Sequence, residues 1–61
     1  MTREQMIEKA KAICEAKYQE ANEYGKIGMR KAELRNRDQW CAICTAFAEF
    51  FEEEENIFFG I

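Results

Sequence analysis

Three cysteines are the residues of this chain with the most versatile chemistry. Cys14 stands alone, whereas Cys41 and Cys44 form a C-x-x-C pair. Thiolates at this spacing are common ligands of tetrahedral zinc, which takes four ligands. The sequence has no histidine, so a carboxylate or a cysteine of another chain would have to complete the site. A zinc site is therefore an alternative only, and the residues favour a protein without metal or cofactor.

The segment 40–44, with the sequence W-C-A-I-C, resembles the W-C-x-x-C redox motif of thioredoxins. In that family the cysteines open a helix, and the helix dipole stabilises a thiolate. The resemblance covers these five residues alone, Ala-Ile replaces the family's Gly-Pro pair, and no strand pattern precedes the segment. We therefore interpret Cys41 and Cys44 as small core residues, with a redox protein as the alternative.

Side chains for acid–base and phosphate chemistry do not occur in usable combinations. There is no histidine to act as a general acid or base, and the three glycines lack the spacing of a phosphate-binding loop. A carboxylate-bridged dimetal site in a helical bundle would need Glu-x-x-His motifs, which cannot be written here. The sequence predicts a protein that is not an enzyme.

Charge is divided sharply along the chain. Residues 25–37 carry five basic groups and one acidic group, whereas residues 38–61 carry six acidic groups and no basic one. This division predicts directional electrostatic contacts with a partner. The basic stretch beside Trp40 also suits nucleic acid, but its cations do not share a helix face, so nucleic acid is a minority interpretation. The expected electrostatic contacts are Arg30, Lys31, Arg35, Arg37, Glu49, Glu52, Glu53, Glu54 and Glu55.

The positions of the glycines and of the helix-capping residues predict an all-α helical hairpin in one domain over residues 1–61. We expect helix 1 at about 3–24, a turn at 25–28, helix 2 at about 29–54 and an apolar tail at 55–61. Thr2 and Gln5 have the spacing of a capping box, and Gly25 suits the left-handed residue that ends a helix. Helix 2 is predicted to kink or split near residues 36–38, because Asn36 and Gln39 suit a fresh helix start.

Apolar residues at helical spacing predict a narrow face on helix 1, with small residues such as Ala10 and Ala21, and a bulky stripe on helix 2. A hairpin this short buries only about 60% of its unfolded surface, so its stripe favours pairing with another chain. We predict an antiparallel homodimer with a four-helix core, in which basic and acidic ends meet. The predicted partner-binding or dimer-core residues are Trp40, Ile43, Cys44, Phe47, Phe50 and Phe51.

The last ten residues join an acidic block to an apolar end. Ile57, Phe58 and Phe59 form a docking tail in one interpretation. In the other, these three residues and Ile61 fold over the open end of the hairpin and close its core.

With the other classes of function disfavoured, these observations favour a protein that acts by binding another protein. The odd number of cysteines and the N-terminus without an apolar signal segment favour a reducing, cytoplasmic location, and the longest apolar run of five residues is far short of the roughly 20 in a membrane span. We predict a small regulator or inhibitor, of the kind that viruses and mobile elements encode, which occupies a partner's surface, with acidic nucleic-acid mimicry as a specific form. The alternatives are a self-assembling structural homo-oligomer and a cysteine-based metal or redox protein.

Overall fold

Two long antiparallel helices and one short helix make up the computed structural model, which describes residues 1–60. The helices are α1 (Arg3–Lys26), α2 (Arg30–Phe51) and α3 (Glu55–Phe59). The prediction of an all-helical chain with two long helices packed against each other is confirmed. Among the described helices, none has the length and apolarity needed to cross a membrane.

The start of α1 is fixed by the capping box that the sequence predicts. The backbone N–H of Gln5 donates to Thr2 Oγ1 at 3.2 Å, and the backbone N–H of Thr2 donates to Gln5 Oε1 at 2.9 Å. Each residue thus satisfies a backbone donor of the other, which is the reciprocal arrangement that stabilises a helix start.

The turn between α1 and α2 lies about two residues later than predicted, because Gly25 does not end α1. The helix continues to Lys26, and Gly28 takes the left-handed conformation at φ 78°. The carboxylate of Glu33 lies over Gly25: a Cβ there would be 2.5 Å from a carboxylate oxygen, at the far end of a flexible side chain that can rotate away.

The predicted break near residues 36–38 is wrong, since α2 runs without interruption from Arg30 to Phe51. Asn36 is buried, and its side-chain amide donates to the carbonyl oxygen of Ala32 at 2.7 Å. A side chain that pairs with the preceding turn of its own helix satisfies its buried donor without opening the backbone. The side chain of Asn36 is therefore compatible with a continuous helix.

The segment after α2 folds back as α3. Glu52 is left-handed at φ 55° and ends α2 earlier than the predicted residue 54, while the backbone N–H of Glu53 donates to Ala48 O at 2.9 Å. This reversal lets Ile57, Phe58 and Phe59 return to the hairpin, where Phe58 is buried and the other two pack against the core. These contacts support the core-closing interpretation of the tail. Ile61 lies outside the described residues.

All three helices contribute to one core inside a rod of about 39 by 17 by 17 Å. The buried residues of α1 are small, and larger side chains of α2 and α3 fill the space beside them. The core is therefore filled without bulky residues at these positions of α1. The buried core residues are Ala10, Cys14, Cys44, Ala48, Phe51 and Phe58.

Candidate functional site

The C-x-x-C pair is divided between the surface and the core of the hairpin. Both cysteines lie in the middle of α2, where the stabilising dipole of a helix start is absent. Cys41 is exposed, whereas Cys44 is buried in the core beside Cys14 of α1. The two residues of the motif thus face different environments.

Burial makes the inward thiols poor nucleophiles. Desolvation is the main cause that raises the pKa of Cys44 to about 12, and it also raises the pKa of Cys14. The Cys44 thiol donates to the carbonyl oxygen of Phe58 at 3.6 Å, which is a contact between α2 and α3. Within residues 1–60, no three cysteine, aspartate or glutamate side chains converge into a group that could hold a metal.

We expect thiol labelling of the folded protein to separate the three cysteines. Cys41 should react at the rate of an exposed cysteine, while Cys14 and Cys44 should react only as fast as the fold opens, because the thiolate is the reactive species and both are buried thiols of raised pKa. Mass spectrometry after timed alkylation measures the order. In urea all three rates should converge, and rapid triple labelling without urea would contradict the packing.

Trp40 belongs to an aromatic cluster within the chain. Its ring lies 5.0 Å from that of Tyr18 and makes an edge-to-face contact with Phe59 at 4.9 Å between centroids. Such contacts on two sides leave the indole poorly placed to stack on a nucleotide base. The three rings also border an open cleft of about 380 Å³ between α1 and α3.

The aromatic stripe predicted on α2 divides into covered and uncovered members. Phe47 and Phe51 pack against Phe58 of α3, with ring centroids 5.8 and 6.0 Å apart. Phe50 is 78% exposed and touches Phe51 edge to face at 5.0 Å. The chain itself therefore covers most of the stripe, and Phe50 is its exposed remainder.

Met6 and Ile13 of α1 are also exposed, at 40% and 51%. The side chains that line the cleft beside α3, Lys11 and Tyr18, lie more than 100° around α1 from these two residues. One whole side of the hairpin is thus free of α3. We call this side the open face. It carries the exposed residues Met6, Ile13 and Phe50 and the partly buried Ile43, which also packs against the core.

Phe50 lies at the acidic end of the chain, directly after Glu49 and two residues before Glu52 in the sequence. Arg3 of α1 pairs with Glu53 at 3.0 Å and donates a hydrogen bond to the carbonyl oxygen of Phe51, which ties the start of α1 to the end of α2. Within residues 1–60, no lysine or arginine forms an ion pair with the four other predicted carboxylates, Glu49, Glu52, Glu54 and Glu55.

The basic tip at the other end is similarly free. Arg37 bridges the helices by donating to Glu33 at 3.2 Å and to Asn22 at 3.1 Å, and its guanidinium lies 5.8 Å from the centroid of the Tyr18 ring. Among the described residues, Arg30, Lys31 and Arg35 make no ion pair. The predicted electrostatic residues thus separate into two that stabilise the fold, Arg37 and Glu53, and two exposed clusters of opposite sign.

Sequence reasoning missed Arg3 and the open face. Arg3 meets Phe51 and Glu53 only because α1 and α2 are antiparallel, and no local pattern marks a contact between residues so far apart in the chain. Met6 and Ile13 share a helical face with Ala10 and Cys14 in the sequence, so their exposure depends on which side α3 covers.

Comparison with protein-family models, with curated protein sequences and with solved structures gave no match for this chain.

Proposed function

We propose that this chain is a non-enzymatic protein–protein interaction module that binds a partner's basic surface through its acidic end. The observation that carries the proposal is the 78% exposure of Phe50 at the end of the hairpin where Glu49, Glu52, Glu54 and Glu55 have no cation partner within residues 1–60. A large exposed aromatic ring with charge around it is typical of an interface anchor with a polar rim.

Phe50 has no structural need to be phenylalanine. The neighbouring rings of Phe47 and Phe51 close the core with Phe58, whereas the one aromatic contact of Phe50 within residues 1–60 is edge to face with Phe51. An exposed ring on a water-facing surface contributes little to stability. Selection for binding gives a reason for its presence.

The carboxylates specify the kind of partner. Glu49, Glu52, Glu54 and Glu55 attract cationic side chains, steer encounter and disfavour acidic surfaces. A regulator or inhibitor that blocks a nucleic-acid-binding cleft is the specific form that this charge supports, with carboxylates in the place of phosphates.

The experiment is affinity capture from the native cell with variants of the immobilised chain. We expect Phe50→Ala, and separately the fourfold change of Glu49, Glu52, Glu54 and Glu55 to Gln, to lower partner capture at least tenfold, which corresponds to about 1.4 kcal/mol. Quantitative mass spectrometry of the retained proteins measures the loss.

Matched controls change similar residues elsewhere. Leu34→Ala removes an exposed apolar side chain at the basic tip, and the fourfold change of Glu4, Glu8, Glu15 and Glu20 to Gln removes equal charge from α1. Both controls should retain the partner. Capture that is the same for all five proteins would refute the proposed function.

A further inference from the structure

We propose that a second copy of this chain covers the open face, in an antiparallel pair in which each acidic end meets the basic tip of the other copy. The inference rests on the proposed function and names a partner for the same end of the molecule. It also narrows the predicted contact on α2 from the whole aromatic stripe, which α3 largely covers, to Ile43 and Phe50 at the edge of that stripe, and adds Met6 and Ile13 of α1.

The four residues of the open face share one side because of helix geometry. Met6 and Ile13 each precede a core-facing residue of α1, Ile7 and Cys14, and Ile43 and Phe50 each precede a core-facing residue of α2, Cys44 and Phe51. One residue is a rotation of about 100° around the helix. Because α1 and α2 are antiparallel, residues that are rotated in the same sense away from the line of contact between the two helices lie on the same side of the hairpin.

Contacts across the hairpin also set the level of these residues along the rod. Tyr18 meets Trp40, and Cys14 meets Cys44. The same register brings Ile13 level with Ile43 near the middle of the rod, and Met6 level with Phe50 at the acidic end. The open face is therefore an apolar patch that runs from the acidic end to the middle of the rod. In an antiparallel pair, Ile13 and Ile43 meet the middle of the second copy, whereas Met6 and Phe50 meet its basic tip.

Charge complementarity selects a second copy as the occupant. The rod has free carboxylates around Phe50 at one end and the free cations Arg30, Lys31 and Arg35 at the other, among residues 1–60. A parallel pair would place like charges together, whereas an antiparallel pair joins opposite charges twice. One such pair closes on itself and satisfies both ends of both copies.

The size of the face is sufficient. A stable interface buries roughly 800 Å² on each partner. One long side of a rod of about 39 by 17 Å, measured between Cα atoms, approaches that area before side chains are added. Two hairpins packed in this way give a four-helix arrangement with α3 on the outside of each copy.

The test is the molar mass of the purified chain by light scattering at tens of micromolar. We expect twice the 7.2 kDa chain mass for the wild type, and the monomer mass for the double variant Ile13→Asp, Phe50→Asp. Both positions are more than half exposed, so circular dichroism should show unchanged helicity. The control Ala12→Asp, Ala16→Asp adds the same charge to exposed positions of α1 off the open face and should stay dimeric.

Charge reversal tests the orientation independently of the apolar residues. Changing Glu52, Glu54 and Glu55 to Lys should weaken association at least tenfold, and adding Arg30→Glu, Lys31→Glu and Arg35→Glu in the same chain should restore it. A wild-type monomer, a mass that keeps growing with concentration, or a double variant that still dimerises would each overturn the inference. A monomer whose partner capture still depends on Phe50 would overturn the inference alone and leave the proposed function standing.

Discussion

Replacing Phe58 with alanine is expected to remove about a third or more of the free energy of unfolding. Phe58 is only 4% exposed, its ring packs on Phe47 and Phe51, and its carbonyl oxygen accepts the hydrogen bond of the Cys44 thiol. Loss of a buried phenylalanine costs about 3 to 5 kcal/mol. A chain of this length has a total stability of roughly 3 to 9 kcal/mol. One side chain in a five-residue helix therefore contributes a large share of the stability of the hairpin.

Urea denaturation followed by circular dichroism measures this effect, with Phe50→Ala as the matched control. Phe50 is the same residue type on the neighbouring helix, but it is 78% exposed, so its loss should change the free energy of unfolding by less than about 0.5 kcal/mol in the monomer. Measurements at low micromolar concentration limit the contribution of association. Similar losses for Phe50→Ala and Phe58→Ala would contradict the division between covered and uncovered rings.

Local signals in the sequence predicted the parts of the fold that depend on neighbouring residues. The capping box of Thr2 and Gln5, the two helices and the burial of Cys14 and Cys44 follow from spacing alone, because caps and helical faces are set within one or two turns. The prediction of a helix break near Asn36 was wrong for a related reason. Its type suits a helix start or a bond to the preceding turn, and only the packing of α2 selects between them.

The candidate site was less predictable because it depends on α3. Apolar periodicity placed Phe47, Phe50 and Phe51 on one stripe, and their different exposure follows from the left-handed turn at Glu52, which sends Phe58 back over two of the three rings. A run of four glutamates gives no signal for a helix end at its first member. The open face is the side of the hairpin that α3 leaves uncovered, so the sequence patterns of α1 and α2 alone could not locate it.

Replacing Ala21 with leucine is the second change with a large expected effect, because it tests the small-residue face of α1. Ala21 has no exposed surface, and nothing in a close-packed contact between two helices can receive three extra carbon atoms. Overpacking of this kind costs about 1 to 3 kcal/mol.

Ala16→Leu provides the matched control for this prediction. Ala16 lies in the same helix but is exposed, and alanine and leucine have similar helix propensities, so the change should alter the free energy of unfolding by less than about 0.5 kcal/mol. Urea midpoints of the two variants, measured with the wild type, separate a packing effect from a helix effect. Equal midpoints would mean that α1 and α2 do not meet through Ala21. In that case the narrow face of α1 would no longer explain how α1 and α2 pack together to bury a core.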